Sequence, residues 1–150
     1  MPSSPAAECA LLGAVLVDEE TAWAENVGAI VAISDFFVPA HRAIWEAMLR
    51  LRTERTAVSV LTVADMLSRL GYIDAVDRLT ASEGYTEGYL VGLLDDVWAA
   101  TGCSAHARMV HEYAERRQML EAGVKLIRDA QSGQKPPPSE SWLSSYEGAM

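Results

Sequence analysis

Residues 34–51 read SDFFVPAHRAIWEAMLRL, a helix entry, an apolar face and an aromatic anchor in one short run. Pro39 stands where a helix should begin, because its missing N–H costs nothing in the first turn. Ser34 and Asp35 precede it and can accept from the free backbone N–H groups of that turn. Phe36 and Phe37 are placed to fold back on the helix as a hydrophobic staple. Ala40, Ile44, Ala47, Met48 and Leu51 then recur at three- and four-residue steps, which is one face of a helix. Arg42, Glu46 and Arg50 fall four apart on another face, with Glu46 able to pair with Arg50. The run therefore predicts the central buried helix of a small all-α domain.

Toward the N-terminus, Ser3, Ser4 and Pro5 start a helix over Ala6 to Val17, rich in Ala and Leu. Gly13 inside it costs up to about 1 kcal/mol relative to Ala. Close approach of another helix is the reason to keep it. Asp18 caps the next helix, and Glu19 and Glu20 suit its positive end. Trp23, Val27, Ile30 and Val31 form one inner stripe of that helix.

Toward the C-terminus, Arg52 to Thr56 reads as a polar loop. Val58 to Leu61 is apolar and β-branched but too short and isolated to argue for a sheet. Thr62 begins a helix with Val63, Met66, Leu67 and Leu70 inward, and Gly71 ends it. Residues 72–84 read as loop, with a short helix near Asp77 to Thr80. Thr86 to Val97 reads as an amphipathic helix carrying Tyr89, Leu90, Leu93, Leu94 and Val97, despite Gly88 and Gly92.

Thr101-Gly102 breaks the pattern. Ser104 to about Ala130 contains no Pro and one Gly, and so predicts one helix of ~40 Å. Its stripe runs Val110, Tyr113, Arg117, Leu120, Val124, Ile127, with the alternating steps of a coiled-coil seam. A rod of that length overhangs a small globule, so part of the seam needs a partner. Ser132 to Pro138 is a turn or linker by composition. Trp142, Tyr146 and Ala149 are helically spaced and read as the start of a second arm folding back. The pattern breaks off there, which suggests a piece of a longer protein. The expected division is a helical globule over 1–102 and a helical hairpin over 103–150, with a long first arm and a truncated second.

The totals fit one domain. The chain has 150 residues, half of them apolar, and a formal net charge of −9. That charge repels a phosphate backbone from most of the surface, so little direct nucleic-acid binding is expected. The acidic excess lies before His106, and the long helix and tail are close to neutral. Cys9 and Cys103 are the only cysteines, read most simply as small, reduced core residues of a cytoplasmic protein. No apolar run is long enough to span a membrane, and the opening MPSSPAAE lacks a secretory signal.

Chemistry-bearing motifs are sparse. No G-x-x-x-x-G-K-[ST] or G-x-G-x-x-G occurs, so no phosphate loop for ATP is offered. His41 reads as a packed, hydrogen-bonded structural histidine, since no nucleophile or oxyanion donor is apparent beside it. His106 and His111 diverge on a helix, and Cys103 with His106 makes half a metal site. Asp95 and Asp96, adjacent on a helix, point about 100° apart and read as a solvated end. Arg108, Arg116, Arg117, Lys125 and Arg128 are interleaved with Glu112, Glu115, Glu121 and Asp129 and read as an ordinary solvated face. No catalytic residue, metal ligand or cofactor is expected.

Three blocks resemble a known family. Ala7-Glu8-Cys9-Ala10-Leu11-Leu12-Gly13-Ala14 is similar to A-E-x-A-[VL]-L-G-[AG]. Asp35-Phe36-Phe37-Val38-Pro39-Ala40-His41 matches D-F-[FY]-x-x-A-H. Val58-Ser59-Val60-Leu61-Thr62-Val63 is like V-D-x-[VL]-T-V. Tyr89-Leu90-x-x-Leu93 and Ala107-Arg108-Met109-Val110 resemble later blocks. In this order they resemble the N-terminal domain of replicative DnaB-type DNA helicases.

The resemblance implies a helical globule followed by a long α-hairpin. It implies hairpins pairing between subunits into dimers, and six domains forming a collar above an ATPase ring. The implied partners are further copies of the chain, the helicase-binding domain of primase and, in some systems, a helicase loader. ATP and Mg would bind a C-terminal domain that this sequence lacks. The implied role is assembly and priming of replication, without catalysis. The partner-facing candidates are Tyr89, Leu120 and Leu126, with Tyr113, Val124 and Ile127 on the seam. Departures fall near the expected docking surfaces. Tyr85 and Thr86 replace a Gly-Gly pair, Ala99-Ala100-Thr101-Gly102 lacks the Pro and Asn of P-T-A-A-N, and His106 replaces the tyrosine of Y-A-R. The alternatives are the helicase-binding domain of a primase, a stand-alone replication adaptor, or a small helical enzyme or ligand-binding regulator. The last requires a converging polar pocket.

Overall fold

The computed structural model describes residues 1–79, 86–95 and 97–133, and these form helices and turns without a strand. Helix α1 spans Pro5–Val17, with Pro5 in its first turn and the Ser4 hydroxyl accepting from the Ala7 N–H at 3.2 Å. It buries Leu11, Leu12, Ala14 and Val15. A Cβ on Gly13 would collide with the Leu93 carbonyl oxygen and lie 2.7 Å from Val97 Cγ2. Close approach does explain this glycine, but the approaching segment is a turn.

The helix predicted to carry Trp23 through Val31 is two helices. Helix α2 spans Glu19–Ala24, and Asp18 caps it by accepting from the Thr21 N–H at 3.2 Å. Asn26 then adopts a left-handed conformation (φ 66°) before α3, Val27–Ile30. Asparagine is among the few L residues that tolerate that region. Val27 and Val31 still reach the core.

A 3-10 turn, Ile33–Asp35, leads into α4, Pro39–Thr53, the predicted central helix. Ala40, Ile44, Ala47, Met48 and Leu51 are buried, as their spacing requires. Trp45 is fully buried between Trp23 and Phe36, with ring centroids 5.8 and 5.5 Å away. The cap of α4 is not the predicted one. Asp35 accepts from the Ala32 N–H at 3.0 Å and so closes its own turn. The open N–H groups of Phe37 and Val38 donate instead to the Glu8 carboxylate of α1, at 3.0 and 3.3 Å. Phe36 is buried and Phe37 is half out.

Helix α5, Val60–Leu70, starts two residues before Thr62, because Ser59 and Thr62 form a reciprocal capping box. Gly71 (φ 77°) ends it as expected. Helix α6, Ile73–Leu79, replaces most of the predicted loop. Helix α7, Thr86–Gly92, is five residues shorter than the predicted Thr86–Val97 helix. Gly92 is a poor helix former, and beyond it the Leu94 and Asp95 N–H groups bond back three residues, as in turns. Those turns bring Leu93 and Val97 onto Gly13.

Helix α8 spans Cys103–Gln131, 29 residues, or ~43 Å. Its first half packs on α1, α3 and the 3-10 turn, burying Cys103, Ala107, Val110, Ala114 and Arg117. Glu25, following α2, accepts from the N–H groups of Gly102 (2.7 Å) and Ser104 (3.1 Å) and thereby caps α8. These bonds, Ser104 first, hold the Glu25 carboxyl below the usual carboxylate range. The expected second arm, with Trp142, Tyr146 and Ala149, lies outside the described residues, as does the Thr80 end of the expected short helix. Among the described residues no helix is long and apolar enough to cross a membrane.

Candidate functional site

The predicted seam on α8 divides at Arg117. Before it, Val110 is buried against the globule and Tyr113 is half-buried, with the Arg116 guanidinium 5.2 Å from its ring centre. Arg117 was expected on a solvated face, and the structure corrects this. It is only 8% exposed, donates to the Asp35 carbonyl at 2.6 Å and the Pro2 carbonyl at 2.9 Å, and lies over the Phe37 ring. A guanidinium carries five N–H donors in a planar fork, so it can hold two loop carbonyls and still stack on an aromatic face.

Beyond Arg117 the seam positions are exposed among the described residues. Leu120 is 46% exposed, Val124 41% and Ile127 59%. Leu126 is half-buried. Gly123 lies between them with nothing within 4 Å of a Cβ placed there. Leu120, Gly123, Val124 and Ile127, with Met119, line an apolar groove of about 470 Å³, bounded by Pro2 and Arg116 at its globule end. An apolar strip of this kind at coiled-coil spacing suits a second helix.

Tyr89 sits elsewhere, on α7, half-buried. Its hydroxyl lies 2.5 Å from His41 Nε2 and its ring stacks on the imidazole. His41 is 1% exposed, and its Nδ1 is 2.9 Å from Glu8 Oε1. His41 is thus the packed, hydrogen-bonded residue expected. Burial lowers its pKa, but the hydrogen bonds of Cys9 and Glu8 push it up, and the net direction is upward. Tyr89 is raised, first by burial. Cys103 is buried as expected. Cys9 packs at the edge of the core, half-buried, with its sulfur 3.7 Å from His41 Nε2.

The structure therefore brings Leu120, Val124 and Ile127 together on one strip, one helical face with Tyr113, leaves Leu126 about 100° or more away around α8, and sets Tyr89 apart in a polar cluster. Sequence reasoning missed Glu8. The signal was present, since Glu8 falls one helical turn before Leu11 and Leu12 on the face that α1 buries, and an unpaired carboxylate is almost never buried. Among the described residues no group of three or more potential ligands could hold a metal ion. Asp95 is exposed, and Asp96 lies outside the described residues.

A family profile described as "DnaB-like helicase N terminal domain" matches residues 1–112. The chain belongs to this family. Replicative DNA helicase DnaB of Leifsonia xyli is 30% identical over 127 residues, covering 85% of this chain and 26% of that protein. The Nostoc DnaB is 29% identical over 91% of this chain and 14% of its own length. The chain thus spans about a quarter or less of these relatives. The crystal structure of the N-terminal domain of DnaB helicase from Mycobacterium tuberculosis superposes with a TM-score of 0.79 at 26% identity, covering 99% of this chain and 96% of that one. The DnaB N-terminal fold and the expected all-α class are the same thing here. The three sequence blocks map onto α1, the 3-10 turn with the start of α4, and the capped start of α5.

Proposed function

We propose that this DnaB N-terminal domain is a non-catalytic assembly and docking module of a replicative helicase. It joins copies of itself through α8 and presents a surface to primase. The observation that carries the reading is the strip Leu120, Val124 and Ile127, exposed among the described residues beyond the point where Arg117 ties α8 to the globule. Burying such side chains stabilises an interface by roughly 1.5–3 kcal/mol each when exposure is complete, and by about half that here. Tyr113, half-buried one heptad before Leu120, extends the strip; Leu126, on another face of α8, and Tyr89 are the candidate contacts for primase. A helicase loader is a further candidate partner, while ATP and Mg are left to the parent helicase's ATPase domain.

Light scattering of the chain and of a Leu120→Ala/Ile127→Ala variant tests assembly. The expected result is loss of the oligomer in the variant, and an unchanged mass counts against the strip. Calorimetric titration with the helicase-binding domain of the same organism's primase tests docking. Binding weakened by Tyr89→Ala is expected, and absence of binding to the parent chain removes primase from the account.

A further inference from the structure

The polar cluster behind Tyr89 has a chemistry that assembly does not use. Cys9 Sγ lies 3.7 Å from His41 Nε2 and 4.0 Å from the Tyr89 hydroxyl, and Glu8 Oε1 lies 2.9 Å from His41 Nδ1. Glu8 fixes the ring with its Nδ1–H toward the carboxylate, which leaves Nε2 facing the thiol and the phenol. If the sulfur's proton moves to Nε2, both ring N–H bonds still have acceptors, Glu8 and the Tyr89 oxygen. The Tyr89 O–H can then turn toward the thiolate. The order thiol, imidazole, carboxylate is the one that activates a sulfur nucleophile.

The sulfur is also reachable. Cys9, with Ala6, Ala10, Tyr89 and Leu93, lines a cavity of about 610 Å³ between α1 and α7. Tyr89 from α7 and Asp95 from the turn after it line the cavity with the sulfur, while His41 from α4 and, behind it, Glu8 from α1 stand on the sulfur's inner side. The His41 hydrogen bond, opposed by burial and by Glu8, holds the Cys9 thiol below its ordinary value. Cys103 is the contrast. It is 1% exposed, and burial pushes its thiol up.

The geometry points to Cys9 as a redox modification site, a thiolate kept by His41 that reacts with hydrogen peroxide entering this cavity. The thiolate attacks one peroxide oxygen, the S–O bond forms and the O–O bond breaks. The departing hydroxide takes the proton from His41 Nε2 and leaves as water. Sulfur is oxidised by two electrons to the sulfenic acid and the peroxide is reduced. A low-molecular-weight thiol can then condense with the sulfenic acid to a mixed disulfide, releasing a second water.

The test is iodoacetamide labelling of the full chain across pH, read site by site by mass spectrometry, with Cys103 as the internal reference. The midpoint for Cys9 should fall at least about one pH unit below the ~8.5 of an unactivated thiol, which is about tenfold more thiolate at neutral pH. Peroxide followed by dimedone should mark Cys9 and leave Cys103 unmarked. A Cys9 midpoint above about 7.5, or no dimedone adduct at Cys9, overturns the proposal. His41→Gln, checked for folding by circular dichroism, should return the midpoint to about 8.5 or higher. A folded variant with an unmoved midpoint removes His41 as the base and overturns the proposal. If that variant does not fold, the parent protein's profile and adduct decide alone.

Discussion

Replacing Glu8 by alanine removes a cap that one helix supplies to another. The Glu8 carboxylate is 1% exposed and accepts from Phe37 N–H, Val38 N–H and His41 Nδ1–H at 3.0, 3.3 and 2.9 Å. Each bond to a charged acceptor contributes about 1.5–3 kcal/mol, and breaking a buried pair from one side typically costs about 3–5 kcal/mol. The three bonds share one acceptor and are not additive, so Glu8→Ala should cost about 3–5 kcal/mol. That is about a fifth or more of the ~5–15 kcal/mol that holds a domain together. At roughly 4 °C per kcal/mol, Tm should drop by about 12–20 °C. Glu8→Gln keeps an oxygen acceptor and should cost less, about 1–2 kcal/mol. Urea unfolding followed by tryptophan fluorescence, to which buried Trp45 contributes, measures both. A loss below about 1 kcal/mol for Glu8→Ala would mean that these N–H groups find other partners and that α4 does not depend on α1 for its cap.

Gly13→Ala should destabilise by about 1–3 kcal/mol in the same assay, because the new methyl meets the Leu93 carbonyl. Gly123→Ala meets open space and should stabilise the isolated chain by up to about 1 kcal/mol. If the same change weakens self-association, a partner backbone approaches there. His111 has its pKa raised, first by the hydrogen bond of Asp35, with Glu115 adding to it. Its contribution is therefore fully present below the unfolded value of about 6.5 and lost as pH rises through the higher folded value. His111→Gln should lower the urea midpoint more at about pH 5.5 than at about pH 8.5, and an equal loss at both would remove the ion pair from the account.

Much of the fold was legible because its signals are local. Pro39 and the spacing from Ala40 to Leu51 mark α4 within one stretch of chain, and Gly71 marks the end of α5 by its own conformation. What was missed is supplied from a distance. The cap of α4 comes from Glu8, some thirty residues earlier, and nothing near Val38 announces it. The cap of α8 comes from Glu25 in the same way. The break at Asn26 rests on a left-handed residue inside an unbroken apolar stripe, and periodicity passes straight through it. Arg117 shows the limit for the interaction surface. Spacing put it on the seam and charge put it in solvent, but only the position of the Asp35 and Pro2 carbonyls shows that it anchors the rod. The same packing separates the covered half of the seam from Leu120, Val124 and Ile127, which sequence spacing treats alike.

Sedimentation velocity of the chain at increasing concentration measures whether copies of the rod find each other. A particle of at least twice the 16.3 kDa chain mass, reverting to one chain when Leu120 and Ile127 are both changed to aspartate, is the predicted result. A single-chain particle at every concentration would contradict it.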